Sequence, residues 1–280
     1  MINFDYCKIM INGSGIAAEN ASIDSSNSLS PVYAIGKVGI ANQIPNGPLR
    51  TSFRFNYLPQ IENEPIYALV SGIKIATGQL DWTGVQIVLG GLTGYNCYLD
   101  NLSYRAAPNE LVRAAVSFVT YLPLSGQLTT GKTDVSIDSV SYGWATYVLS
   151  GNAYLLTPTY AFDYNFSANW QPVFILGQKS PIEMKLTSAS EKIDLTRDTF
   201  YKIAFSGDNA ESFLTFQGTD NKYVDIQNLS LVCQTEGIGT APAGLKTLRF
   251  DLSGAKVTNS RLDAKVDDII RVATSIEKFY

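Results

Sequence analysis

Gly126-Gln127-Leu128-Thr129-Thr130-Gly131-Lys132-Thr133 fits G-x-x-x-x-G-K-[ST]. At that spacing, loop N–H groups cradle phosphate oxygens and a lysine reaches the outer phosphates. The chemistry needs a strand before the loop and a helix after it, whose N-terminus faces the charge. The apolar run before it supplies the strand. The run after it, from Asp134 to Trp144, alternates polar and apolar like another strand. No strand-borne acid or β-α-β succession accompanies it, so the stretch reads as a polar linker. An NTPase at Lys132 stays a third functional class, testable by a nucleotide-induced shift in melting temperature.

Other chemistry-bearing residues are sparse. The chain has no histidine, which removes the usual general base, the commonest metal ligand and every Ser-His or Cys-His nucleophile pair. Cys7, Cys97 and Cys233 are odd in number, far apart and without CxxC spacing, and read as reduced, half-buried packing residues. Asp267-Asp268 offers too few oxygens for Ca²⁺ and reads as a solvated turn. Asp208-Asn209 and Asp220-Asn221 read as ordinary turns. Trp82, Trp144 and Trp170 could line a sugar-binding face, but Trp170 stands where the first half has Leu29, so packing or interface burial is the reading taken. Arg113 and Arg271, both just after a turn, either touch a neighbouring subunit or are solvated. The expectation is of a non-enzyme, with no catalytic, cofactor-binding or metal residues and no cofactor.

Composition gives the class. In 280 residues, 45% are hydrophobic and only 16% charged, with Tyr 16, Phe 13 and Gly 22. Such a chain favours a mainly β protein with many turns, and a low-charge aromatic surface suits contact with other subunits. The formal charge of −4 lacks the basic footprint of phosphate binding, yet lets nucleic acid pass without sticking. No basic n-region and no apolar run of about 18 residues is present, so neither a secretory signal nor a membrane helix is expected.

The elements that must position these residues are strands. Tyr6 to Ile11 runs into an Asn12-Gly13 turn, and Ala21, Ile23 and Ser25 alternate with polar neighbours. Lys37 to Gly47 reads as an exposed loop, Pro48 to Leu58 as a strand and Glu64 to Val70 as a helix with an early proline. Val85 to Leu89 is a strand and Gly90 to Gly94 a turn. Tyr95 to Leu122 is then a long hairpin turning at Ala107-Pro108-Asn109-Glu110.

The second half retells this order. Asn20 to Lys37 matches Ala161 to Gln178, with Pro31 on Pro172 and Gly36 on Gly177, an offset of 141. Ile9 to Gly13 matches Tyr147 to Gly151, the strand from Pro48 the one from Pro181, and the helix Glu64 to Val70 the segment Asp198 to Ala204. Asn101-Leu102-Ser103 matches Asn228-Leu229-Ser230, and Leu124-Ser125-Gly126 matches Leu252-Ser253-Gly254. The hairpin also has a second echo. Setting Arg113 on Arg271, an offset of 158, lays Asn101, Ala106, Ala115 and Ser117 on Asn259, Ala264, Ala273 and Ser275. Its echoes are therefore Tyr223 to Asp251 and Val257 to Phe279. The terminal segment also fits a helical stripe, but Pro108 stands at the position of Val266 and would break a helix, so the hairpin is taken. Ordered matches with small gaps indicate an internal duplication, with domains expected at residues 1–130 and 131–280.

The Asn-Gly turn, the Ser28-to-Gly36 segment with its Pro31-Val32-Tyr33-Ala34-Ile35-Gly36, the alternating strand, the short helix and the long terminal hairpin resemble the tail-tube fold of bacteriophage tails. The resemblance spans nearly the whole chain and rests on pattern. It implies two tandem β-sandwich or barrel domains of tail-tube type, each with one short helix and a long hairpin. It further implies a virion structural protein, tail tube or baseplate hub, assembled in a host cytoplasm. Hairpins of successive subunits would surround a channel for DNA, with no sequence-specific binding and no membrane. Two copies per chain imply a trimer mimicking a six-fold ring, or a hexamer. The family transfers no catalytic or binding residues. The alternative class is a carbohydrate- or partner-binding β-sandwich of a virion decoration or fibre, using Trp82 or Trp170. If the hairpins are partner-seeking, a proline at Ser117 is expected to abolish rings before it unfolds the monomer.

Overall fold

The computed structural model describes residues 9–27, 29–45, 47–59, 64–76, 84–107, 110–128, 142–149, 152–156, 161–176, 178, 180–198, 225–234, 247–263 and 271–280. In chain order these form β1 (Ile9–Ile11), β2 (Ser14–Gly15), β3 (Ala18–Ser26), β4 (Leu29–Val32), β5 (Asn42–Pro45) and β6 (Arg50–Tyr57). Then come α1 (Pro65–Ala76), β7 (Val85–Leu89), β8 (Leu92–Ala106), β9 (Arg113–Thr120) and β10 (Ser125–Gly126). The second half supplies β11 (Tyr142–Leu149), β12 (Asn152–Leu156), β13 (Ala161–Val173), β14 (Glu183–Asp198), β15 (Asp225–Gln234), β16 (Thr247–Asp263) and β17 (Arg271–Phe279). The protein is mainly β, and among the described residues every strand pair is antiparallel.

Period-two alternation makes these strands. In β13, Phe162, Tyr164, Phe166, Ala168 and Trp170 are buried while Asp163, Asn165, Ser167 and Asn169 are exposed. In β6, Phe53, Phe55 and Tyr57 face the core. The helix α1 starts at Pro65, where a missing N–H costs nothing, and the Glu64 carbonyl accepts from Ala68 N at 3.2 Å. Ile66, Val70 and Ile73 form its buried stripe.

One pairing scheme appears twice. In the first half the ladder runs β2-β1-β7-β8-β9-β6-β3. In the second it runs β12-β11-β15-β16-β17-β14-β13. Registers agree as well as order. Arg105↔Arg113, Leu102↔Val116 and Leu99↔Phe118 recur at an offset of 158 as Asp263↔Arg271, Ser260↔Thr274 and Val257↔Ile276. Both ladders slip at the same place, between Leu99 and Asn101 and between Val257 and Asn259. The small sheet β4–β5 pairs Leu29↔Pro45 and Val32↔Asn42, and at an offset of 141 the distal β13–β14 hairpin pairs Trp170↔Leu186 and Val173↔Glu183. Even the loop bonds repeat: Lys37 N to Ala34 O and Ala41 N to Val32 O match Gln178 N to Ile175 O and Ile182 N to Val173 O.

The ladder revises several readings. Of the two echoes of the β8–β9 hairpin, the terminal one is its counterpart, and it is a hairpin, not a helix. β15–β16 stands in the place of β7–β8, so the matches of Asn101 to Asn228 and Leu124 to Leu252 do not hold. Gly254 (φ 67) instead falls on Asn96 (φ 47), a left-handed residue in both strands. The strand after Pro181 begins in the place of β5, and only from Ser190 onward does it stand for β6. Lys37 to Gly47 is not all loop, because β5 lies within it. The Gly90 to Gly94 turn is shorter than read, with β8 beginning at Leu92. Of the helix expected over Asp198 to Ala204, the capping position Asp198 ends β14, and residues 199–204 lie outside the described residues.

Both halves contribute to one aromatic core. Phe250 of β16 packs on Tyr104 of β8 (4.6 Å between ring centroids), Tyr67 of α1 (4.9 Å) and Tyr164 of β13 (5.1 Å). Burying each such ring contributes about 1.5–3 kcal/mol.

Candidate assembly edges and the internal seam

Strand β8 is where the halves join. Its distal part pairs with β13 as Phe162↔Ala106, Asp163↔Arg105, Tyr164↔Tyr104, Asn165↔Ser103, Phe166↔Leu102 and Ser167↔Asn101. On the inner face Tyr104 and Tyr164 meet at 5.9 Å. On the outer face Arg105 Nε lies 3.9 Å from Asp163 Oδ1, both well exposed, a pair of at most about 1 kcal/mol. Partial burial raises the Asp163 carboxyl above its usual range and Arg105 pulls it back. Beyond the ladder, Trp170 lies on Tyr98 at 5.0 Å and donates Nε1–H to Leu99 O at 2.7 Å. Its indole is thus buried in the seam and withdrawn from any sugar-binding face.

The outer strands are, among the described residues, open in complementary places. Among the described residues β3 pairs only with β6, and the Asn259–Asp263 part of β16 only with β17. The hairpin tips carry exposed apolar side chains at matching positions: Tyr33 (70%) and Ile35 (108%) in the first half, Phe174 (36%) and Leu176 (102%) in the second. The β8–β9 hairpin, by contrast, is flanked on both sides within the chain, by β13 and β6.

Among the described residues, two carboxyl groups, those of Glu64 and Glu191, lie inside the core. Tyr57 OH donates to Glu64 Oε1 at 2.7 Å and lies 3.0 Å from Tyr104 OH. Tyr164 OH donates to Glu191 Oε1 at 2.5 Å and Tyr280 OH to Glu191 Oε2 at 2.6 Å. Burial, reinforced by the adjacent glutamates, pushes the Tyr57, Tyr104 and Tyr164 hydroxyls well above the usual tyrosine range. They are donors that stay protonated, an arrangement that fixes side chains in place. Sequence pattern does not mark the arrangement, because a glutamate within a strand, like Glu191, or at a helix start, like Glu64, reads as surface.

The remaining sequence candidates scatter. Gly126 sits in β10 against β8 with φ 91, and a Cβ there would collide with Gly91 O, while residues 129–141, including Lys132, lie outside the described residues. Arg113 pairs within the chain, Nε to Glu19 Oε1 at 3.2 Å, and Arg271 stands opposite Asp198 and Asp263. Cys97 and Cys233 are free, and are fully buried rather than half-buried as expected; burial pushes the Cys97 thiol up to about 12. Trp144 lies in β11, whereas Trp82, Cys7, Asp208-Asn209, Asp220-Asn221 and Asp267-Asp268 fall outside the described residues. Among the described residues no three of His, Cys, Asp and Glu gather as a metal-binding group, and no helix is long and apolar enough to cross a membrane. No protein-family model matches the chain and no curated protein is significantly similar to it.

Proposed function

We propose that this protein is a non-enzymatic virion component that self-associates into a ring or tube in a bacteriophage tail, as tail tube or baseplate hub, around a channel for DNA. Its two halves are tandem tail-tube-like β domains, residues 1–130 and 131–280. The observation that carries the reading is the recurring ladder together with the β8–β13 seam. One unit already joins its like by adding a strand at an open edge, and a contact between unlike surfaces can be continued by further copies until a ring closes. Three chains of two units each give six quasi-equivalent positions, and a hexamer of doubled chains is the other closed form. With a formal charge of −4, the chain repels nucleic acid rather than gripping it, which lets it slide. The virion, after assembly in a host cytoplasm, is where such a protein works.

The alternative, a carbohydrate-binding decoration or fibre module, is weakened because Trp170 is committed to the seam. Negative-stain microscopy and sedimentation of the purified chain, at high concentration and across salt, test the proposal. Rings or tubes are expected; monomers under every condition would overturn it.

A further inference from the structure

We infer that β3 of one copy pairs antiparallel with the Asn259–Asp263 half of β16 in the next copy, in the register of the internal seam. This rests on the self-association reading above and adds to it a specific joint.

The register follows from the repeated ladder. β13 corresponds to β3 at an offset of 141 and β8 to β16 at an offset of 158. Carried over, Tyr164↔Tyr104 becomes Ile23↔Leu262 and Asn165↔Ser103 becomes Asp24↔Arg261. Ser22 then meets Asp263, Ser25 meets Ser260 and Ser26 meets Asn259. Three features of the open edges suit this occupant. Ile23, like Tyr164, is on the inward side of its strand, yet it is only half-buried where Tyr164 is fully buried. An apolar partner completes it. Asp24 and Arg261 are both exposed and of opposite charge, which favours a directly facing cross-strand pair.

The third feature is a knob and its socket. Leu29 of β4, 56% exposed, stands where Trp170 does in the second half. Trp170 rests on Tyr98 beside Leu99. The counterparts of Tyr98, Leu99 and Asp100 are Lys256, Val257 and Thr258. Lys256 and Thr258 line an open cleft of about 310 Å³ with Gly254, Glu277, Lys278 and Phe279. The neighbour's Leu29 enters this cleft, against the Phe279 ring (75% exposed) and the lysine stems.

The test uses the full chain. Asp24→Cys/Arg261→Cys, oxidised under assembly conditions, is expected to give disulfide-linked multimers that neither single variant gives. Asn20→Cys/Arg261→Cys, four residues out of register, is expected to give none. Asp24→Arg and Arg261→Asp should each raise the concentration needed for half-assembly by roughly 3- to 10-fold, and the double exchange should restore it to within about 2-fold. Rings that form but link equally well out of register, or not at all, overturn the joint and leave self-association standing. A wild-type chain that stays monomeric overturns both.

Discussion

Each of the two buried glutamates accepts hydrogen bonds from tyrosine hydroxyls. Glu191 is fully buried and takes one donor from Tyr164 and one from Tyr280 at the chain's end, which ties the C-terminus to β14. Removing the Tyr164 hydroxyl (Tyr164→Phe) withdraws a donor from a buried acceptor and is expected to cost about 1–3 kcal/mol, read by denaturant unfolding. The same hydroxyls set the alkaline limit. Folding raises the pKa of Tyr57, Tyr104 and Tyr164, and of the Cys97 thiol up to about 12, so the folded chain holds these protons more tightly than the unfolded one. Their contribution to stability is complete below the unfolded values, about 8.5 for cysteine and 10 for tyrosine. It is lost as pH rises through the folded values. Melting temperature should therefore fall steeply above about pH 9–10, and a flat profile to pH 12 would show these groups to be solvated. Composition alone predicted many aromatic residues, but which of them face a carboxyl depends on pairings between distant strands.

At the level of elements, the β8–β9 hairpin was legible from its alternation and its turn, closed by Glu110 N to Ala107 O at 3.2 Å. So was the terminal hairpin, because a proline in its echo argues against a helix. What single-strand patterns do not carry is which edges remain open. Ser117 stands between Asn101 of β8 and Arg54 of β6, so β9 is a central strand and not a partner-seeking one. Ser117→Pro removes a ladder donor there and is expected to unfold the monomer, reversing the order in which assembly and folding fail. Circular dichroism of the variant checks this: a native-like melt with assembly lost would restore the partner-seeking role of the hairpin. Among the described residues the open elements are β3 and distal β16, and β3 looked unremarkable in sequence because its apolar residues are few. The offsets that expose the repeat were present in the sequence from the start. Choosing between the collinear echo and the terminal one needed the ladder, since both give plausible local matches.

At the scale of the whole molecule, tandem units of equal topology invite a picture of beads on a string, each melting alone. The core argues against it. Phe250 belongs to β16 yet packs on Tyr104 and Tyr67 from the first half as well as Tyr164 and Phe162 from the second. Asp251 N, beside it, donates to Tyr67 OH at 2.9 Å, so α1 and β16 are clasped by polar as well as apolar contact. The β8–β13 ladder adds six paired positions across the same boundary. With so much buried surface shared, neither half keeps its core when the other opens, and the two should unfold as one cooperative unit. Phe250→Ala empties a site lined from both halves and is expected to cost about 3–5 kcal/mol. Hydrogen exchange under increasing denaturant reads the coupling directly. In the wild type β9 and β17 should lose protection at one common midpoint, and in Phe250→Ala both midpoints should move down together. If only β17 moved, the halves would be independent units, and the seam would be a docking contact between two domains already folded.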